Sequence, residues 1–260
     1  MAHLAGSSAF GGGERYLELL CDRMDPQRYR SLLICPEPGP FVDRMSRRGI
    51  PTHVIHLKPL VNPVALGRLT CLLRREGVSI LQTHGARSNA YGQVAGRLAG
   101  VPVVISTVHN SIRDYEVPAW KQRVYLAVLR RTSRWADRII CVSEALRRHV
   151  VAEMGVPSSR AVVVYNGVDP AMKATPDGPA AVRREFGVEE APLLIAIGRL
   201  TPQKGHRHLL DALPGLVQQW PRLRCVIIGE GELSGELRAH ARQLGLEQHV
   251  QFAGVRQDIP

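Results

Sequence analysis

No apolar run in this sequence is long enough to cross a bilayer, which takes about 20 residues as a helix. The longest, such as Leu193–Ile197 and Val101–Ile105, have the length of a strand. The N-terminus lacks a basic segment followed by an apolar one, so no secretory signal is expected, and the expected compartment is the cytoplasm. Cys21, Cys35, Cys71, Cys141 and Cys225 are odd in number and form no Cys-x-x-Cys pair. Buried reduced thiols fit that pattern better than disulfides or metal ligands. There is no Asp-x-Asp pair to hold a metal-bound nucleotide and no His or Cys cluster at zinc spacing. The Gly-x-Ser-x-Gly hydrolase elbow, the Gly-x-Gly-x-x-Gly dinucleotide fingerprint and the Gly-Lys-Ser/Thr phosphate loop are missing too. No metal and no organic cofactor is expected.

What is there describes a globular protein. Apolar residues make up 45 % of the 260, enough for a sizeable core. The net charge of +11 is unevenly placed. Residues 1–170 hold 23 Lys and Arg against 13 Asp and Glu, a balance of +10, while residues 171–260 hold 11 against 10, a balance of +1. The basic part suits an anionic partner such as a lipid-linked phosphate, a membrane surface or nucleic acid. A solvated arginine-rich surface accounts for it equally well.

Short apolar strands alternate with segments of helical period. The expected strands are Met1–Gly6, Ser31–Cys35, His53–Leu57, Val78–Gln82, Val101–Thr107, Arg138–Ser143 and Ala161–Tyr165. Most are continuous apolar runs, as in strands buried on both faces. Between them Tyr16, Leu17, Leu20 and Met24 share a helical face, as do Leu66, Leu69 and Leu73, and Tyr91, Val94, Ala95 and Leu98. This alternation predicts an α/β fold with a parallel sheet covered on both sides. Turn chemistry at Asn166–Pro170 and a Pro-, Ala- and Gly-rich stretch to Pro179 place a domain boundary there, giving domains 1–170 and 171–260. The pattern restarts with strands at Leu193–Gly198, Arg224–Gly229 and Val250–Gly254 and with helices around Leu209–Val217 and Leu233–Leu244. That is half of a doubly wound domain, so the second domain is expected to be incomplete and the chain to be a fragment.

Four places can carry chemistry. Gly11-Gly12-Gly13-Glu14 lies between the first strand and the Tyr16 helix, where glycines let a ligand approach and a helix N-terminus favours anions. His109 stands at the carboxyl end of an apolar strand, where ligands of open parallel sheets bind, and can hydrogen-bond a substrate or pass a proton. His84 has the same placement. Gly198-Arg199-Leu200 and Gln203-Lys204-Gly205 bring two fixed cations to a helix N-terminus, which suits a diphosphate. Gly229-Glu230-Gly231 permits close backbone approach and is equally readable as an ordinary turn.

In chain order these residues resemble glycosyltransferase family 4, retaining enzymes of the GT-B class. The landmarks are Gly11, Gly12 and Glu14, then Thr83-His84, Val108-His109, Ala136–Ser143, Val164–Asp169, Gly198-Arg199-Leu200 with Lys204-Gly205, and Ile227–Gly231. The resemblance implies two Rossmann-like domains facing across a cleft, with 1–170 binding the acceptor and 171–260 the nucleotide-diphosphate-sugar. It implies Gly12 against the donor phosphate, His109 at the reacting carbon, and Arg199 and Lys204 neutralising the leaving diphosphate in place of a metal. Gly11, His84, Asn110, Asn166, Gly229 and Gly231 are further candidates of the same site. The implied function is sugar transfer to a glycan or lipid-linked acceptor in cell-surface polysaccharide, lipopolysaccharide or glycolipid assembly, with no nucleic acid partner. Family members carry a Glu-x7-Glu motif after a segment like Phe252-Ala253-Gly254, and this sequence ends before it. A non-catalytic remnant that binds nucleotide or a protein partner, or a nucleotide-sugar epimerase relative, is the alternative.

One segment stands apart. Within Ala119–Arg138, Arg123, Arg130 and Arg134 share a helical face and Trp120, Val124, Val128 and Trp135 the adjoining one. It can rest on the inner face of an anionic membrane, or be an ordinary solvated helix packed by its apolar side.

Overall fold

The structure, a computed structural model, describes every residue except 10, 60, 61, 115, 116, 169–177, 189 and 257–260. It divides into two compact units, Met1–Asp169 and Pro170–Pro260. Asp169, Pro170 and most of the expected boundary stretch lie outside the described residues.

The first unit runs β1 (Ala2–Leu4), α1 (Gly12–Arg23), β2 (Leu32–Cys35), α2 (Pro40–Arg47), β3 (Thr52–Val54), α3 (Pro63–Arg75) and β4 (Ile80–His84). It continues through α4 (Ala86–Ala99), β5 (Val103–Val108), α5 (Ala119–Thr132), β6 (Arg138–Cys141), α6 (Glu144–Met154) and β7 (Ala161–Val163). The strands form one sheet in the order β3-β2-β1-β4-β5-β6-β7, with every pairing parallel. Both faces are covered because successive side chains of a strand point to opposite sides. Leu32 and Ile34 of β2 join Leu4, Leu69, Leu73 and Ala95 under α3 and α4. Leu33 and Cys35 of the same strand join Leu17, Phe41 and Met45 under α1 and α2. The β6 end has its own core, where Leu129, Ile139, Val150 and Met154 meet.

Local signals explain the element ends. Asn62 accepts a hydrogen bond from the Ala65 N–H at 3.0 Å and Pro63 takes the first position of α3. Ser143 caps α6 in the same way, and Gly155 ends it in the left-handed conformation. Strand β4 reaches His84, two residues past the expected Gln82, because polar residues continue its ladder: Thr83 pairs with Ser106 and His84 with Thr107. The edge strand β3 covers Thr52–Val54, earlier than the expected His53–Leu57. The expected continuous helical segment Ala119–Arg138 breaks: α5 stops at Thr132, a 3-10 turn spans Ser133–Trp135, and β6 starts at Arg138. Cys35, Cys141 and Cys225 are buried as expected, whereas Cys71 is exposed and Cys21 half-buried.

The second unit runs α7 (Gly178–Glu185), β8 (Leu193–Ile197), α8 (His206–Gln219), β9 (Arg224–Ile228), α9 (Ser234–Gln243) and β10 (Val250–Gly254). Its parallel sheet has the order β10-β9-β8, with Leu210, Leu213, Cys225, Ile227 and Leu237 as its core. The outer edge of β8 has no strand partner among the described residues, and Ile195 and Ile197 are 45 % and 57 % exposed.

One buried charge ties the first unit's α1 to α2. The Glu18 carboxylate is fully enclosed and ion-paired with Arg15 at 2.7 Å, with Arg48 at 2.7 Å and with Arg44. Burial raises its pKa, but the bonds from Arg44 and Arg15 and the charge of Arg48 outweigh burial and hold it below the ordinary carboxylate range. Its stabilisation is therefore present above the unfolded-state pKa and lost as pH falls toward the lower folded-state value. Glu18→Gln should cost about 2 kcal/mol at pH 7 and remove that part of the acid dependence, read from urea midpoints across pH. An unchanged midpoint would show the cluster to be dispensable.

Candidate functional site

The strand order of the first unit reverses between β1 and β4. The helix after β1 packs on one face of the sheet and the helix after β4 on the other. Such a reversal leaves a crevice beyond the carboxyl ends of the two strands, where open α/β sheets bind ligands. Gly11–Gly13 stand on its α1 side. Gly11 is the N-cap of α1 and no side chain caps the helix. A Cβ added at Gly12 or Gly13 would meet nothing within 4 Å, so there is open space beside the first turn. A helix N-terminus of this kind favours negative charge.

The other side of the crevice is built of histidines. His84 ends β4 and is 4 % exposed; His109 follows β5 and is half-buried. Their rings stack with centroids 5.5 Å apart, and His84 Nδ1 lies 3.2 Å from His109 Nε2. Tyr16 of α1 meets His109 edge-on at 5.2 Å and His84 at 5.9 Å. Behind them His3 of β1 is fully buried, 6.2 Å from His84. Below this layer the strand ends are polar and bonded: Gln82 Nε2 donates to Thr107 Oγ1 at 3.0 Å, and Thr83 Oγ1 lies 3.0 Å from Ser106 Oγ. Burial, with the positive N-terminus nearby, pushes His3 down to about 4. Burial pushes His84 well below its ordinary value, helped by His3 and His109, and burial lowers His109 too. All three rings are neutral at pH 7.

In the second unit the chain leaves β8 as Gly198-Arg199-Leu200, turns through a 3-10 segment at Pro202–Lys204 and enters α8 at His206. Arg199 and Lys204 are exposed, with no ion pair among the described residues. Leu200 is buried and anchors the turn. A Cβ on Gly198 would sit 3.5 Å from His206 Nε2 and 3.6 Å from Lys204 Cγ, so the lysine stem and the histidine ring flank that glycine. The buried atoms His206 Nε2 and Thr201 Oγ1 have no hydrogen-bond partner in the structure. Two exposed cations and two buried polar atoms without partners thus lie along one turn at a helix start, chemistry that suits an anion.

Gly229 and Gly231 serve this loop from beside it. Gly229 has φ +138°, and a Cβ there would lie 2.0 Å from the Gly198 carbonyl oxygen. A Cβ on Gly231 would lie 2.4 Å from the Leu200 carbonyl oxygen. The two loops are bonded backbone to backbone, Leu200 N–H to Glu230 O at 2.9 Å and Leu233 N–H to Leu200 O at 3.0 Å. The close approach that these glycines permit is thus to the Arg199 loop.

Of the sequence-derived candidates, Gly11, Gly12, His84 and His109 gather at one crevice, with Asn110 exposed beside His109. His84 lies behind His109 and does not front the crevice as its strand-end position implied. Asn166 is exposed beyond β7, two strands from β5, or about 10 Å across the sheet. Arg199, Lys204, Gly229 and Gly231 gather in the second unit. Sequence reasoning missed Tyr16, which it placed on an apolar helix face, and His3, Gln82, Thr201 and His206. Polar residues inside or next to apolar strand runs were the available signal.

Residues 10–172 match glycosyltransferase family 4, and residues 180–260 match glycosyl transferases group 1. The chain is 26 % identical over 269 residues to the UDP-Gal:alpha-D-GlcNAc-diphosphoundecaprenol alpha-1,3-galactosyltransferase of Escherichia coli, covering 100 % of this chain and 70 % of that one. It is 28 % identical over 194 residues to the GDP-mannose-dependent alpha-(1-6)-phosphatidylinositol monomannoside mannosyltransferase of Mycolicibacterium smegmatis, covering 74 % of this chain and 50 % of that one. Its fold matches the crystal structure of Anabaena HepE in complex with UDP and glucose with a TM-score of 0.83 at 22 % identity, over 99 % of this chain and 70 % of that one. The chain thus spans between half and about 70 % of the length of these proteins. With an α/β parallel fold, an uncapped α1 turn beside His109 and a cationic loop at α8, the chain belongs to glycosyltransferase family 4.

Proposed function

We propose that this chain serves in a retaining glycosyltransferase that moves a sugar from a nucleotide-diphosphate-sugar to a glycan or lipid-linked acceptor in cell-surface glycan or glycolipid assembly. The observation that carries the reading is the second unit's loop, where Lys204 and the unpartnered His206 Nε2 flank Gly198 and the exposed Arg199 follows it. A departing nucleoside diphosphate gains negative charge in the transition state, and fixed cations stabilise it there without reorganising. Arg199 and Lys204 do this in place of a metal ion. The first unit takes the acceptor, and His109 and the open α1 turn at Gly12 are the groups it offers to substrate. The E. coli relative is named for a diphosphoundecaprenol-linked acceptor and the mycobacterial one for a phosphatidylinositol mannoside, which supports a lipid-linked acceptor here.

Arg199→Ala and Lys204→Ala should each weaken binding of UDP or GDP roughly 10- to 100-fold by calorimetry, as for loss of a charge-assisted hydrogen bond. Undiminished affinity in both variants would remove the phosphate assignment.

The same reading puts the protein at the inner face of the membrane, in the cytoplasm. No described helix is long and apolar enough to cross a bilayer. On α5, Trp120 is 62 % exposed and Val124 45 %, with Lys121, Arg123, Arg130 and Arg131 exposed around them. Val128, by contrast, packs against the β6 core, so the apolar part of this face is short. Flotation with anionic vesicles should carry the protein, neutral vesicles should not, and 0.5 M salt should release it, because screening shortens the Debye length to about 4 Å. Equal flotation with both vesicle types, or none, would sink the membrane contact.

A further inference from the structure

His84 and His109 share one hydrogen bond, and the two ring nitrogens that make it have one proton between them. With both rings neutral, the position of that proton decides the tautomer of each ring at once. If His109 Nε2 donates, the His84 proton sits on Nε2, which is buried and has no partner. If His84 Nδ1 donates, the buried Nε2 carries a lone pair instead. An enclosed N–H without an acceptor is the costlier of the two, and orphaned buried donors are the rarer case in proteins. Among the described residues nothing accepts from or donates to this Nε2, although the rings of His3, Tyr16 and His109 pack around His84.

We infer that His84 is a positioning residue: its Nδ1–H donates to His109 Nε2 and so holds His109 as the Nδ1–H tautomer. His109 Nδ1 has no hydrogen-bond partner among the described residues, so this tautomer leaves an N–H, and no lone pair, available to a ligand. His109 then serves a sugar or acceptor oxygen as a hydrogen-bond donor and does not take a proton from it. The inference rests on the transferase reading for the identity of that oxygen, and on the structure alone for the pairing.

The test reads the imidazole nitrogens of the whole chain, labelled with 15N-histidine and free of ligand, by two-bond proton–nitrogen correlation at pH 7.5. The expected result is a protonated Nδ1 and a bare Nε2 on His109. His84→Leu should lose this pattern and relax His109 toward the Nε2–H form that a free imidazole prefers. His84→Asn keeps an amide N–H at the Nδ1 position and should restore the wild-type pattern. His84→Asp offers only acceptors there and should draw the proton to His109 Nε2. If His84→Leu does not fold, the Asn and Asp variants carry the comparison. A wild-type His109 protonated on Nε2, or identical His109 patterns in the Asn and Asp variants, overturns the proposal. Nucleoside diphosphate binding, measured separately, tests the transferase reading without reference to the tautomer.

Discussion

The reversal of strand order between β1 and β4 is the constraint on which the first unit depends. Parallel strands joined by right-handed crossovers put the helices of the two directions on opposite faces of the sheet. Where the direction changes, the two helices diverge and leave a crevice outside the strand ends. The sheet order β3-β2-β1-β4-β5-β6-β7 fixes that gap beside Gly6, Gly12 and His84. Continuous apolar strands are what allow the order to form, since both faces must be covered. In β4 and β5 the polar residues Gln82, Thr83, Ser106 and Thr107 fall in the carboxyl half, where they satisfy one another beneath the histidines.

The second unit builds its candidate phosphate loop by a different device. The Gly198–Leu200 segment lies directly against the Gly229–Gly231 segment, at distances that leave no room for a Cβ. Backbone bonds between the two loops and the buried Leu200 side chain hold the turn, and Arg199 and Lys204 are left to solvent. A backbone braced by hydrogen bonds and carrying two exposed cations suits the proposed diphosphate, which leaves with more charge. On β8, Ile195 and Ile197 remain 45 % and 57 % exposed, while their partners Val226 and Ile228 on β9 are buried.

Much of the fold was legible because apolar period reports it directly. Strands such as Leu193–Ile197 and Val250–Gly254 and helices such as that of Leu209, Leu213 and Leu216 stand out by pattern alone. The helix α2 was not legible, since its eight residues bury only Phe41 and Met45. The true end of β4 was hidden because Thr83 and His84 are polar, although a buried sheet accepts them once bonded. Glycines were legible as special, but their purpose was not: whether a bare Cα faces a ligand or a neighbouring loop depends on contacts distant in sequence. The pairing of His84 with His109 was hidden for the same reason, as 25 residues separate two strand ends that the sheet brings together. Cationic residues around a glycine turn, as at Arg199 and Lys204, were readable because charge needs no partner to be noticed.

The central claim is that the loop from Gly198 to His206, braced by Gly229 and Gly231, receives the donor diphosphate. The most direct measurement is a backbone proton–nitrogen NMR titration of the chain with UDP and with GDP. The account predicts saturable shifts concentrated at Gly198–His206 and Gly229–Glu232, little changed by the choice of base. Shifts confined to other segments, with this loop unmoved at saturation, would contradict it.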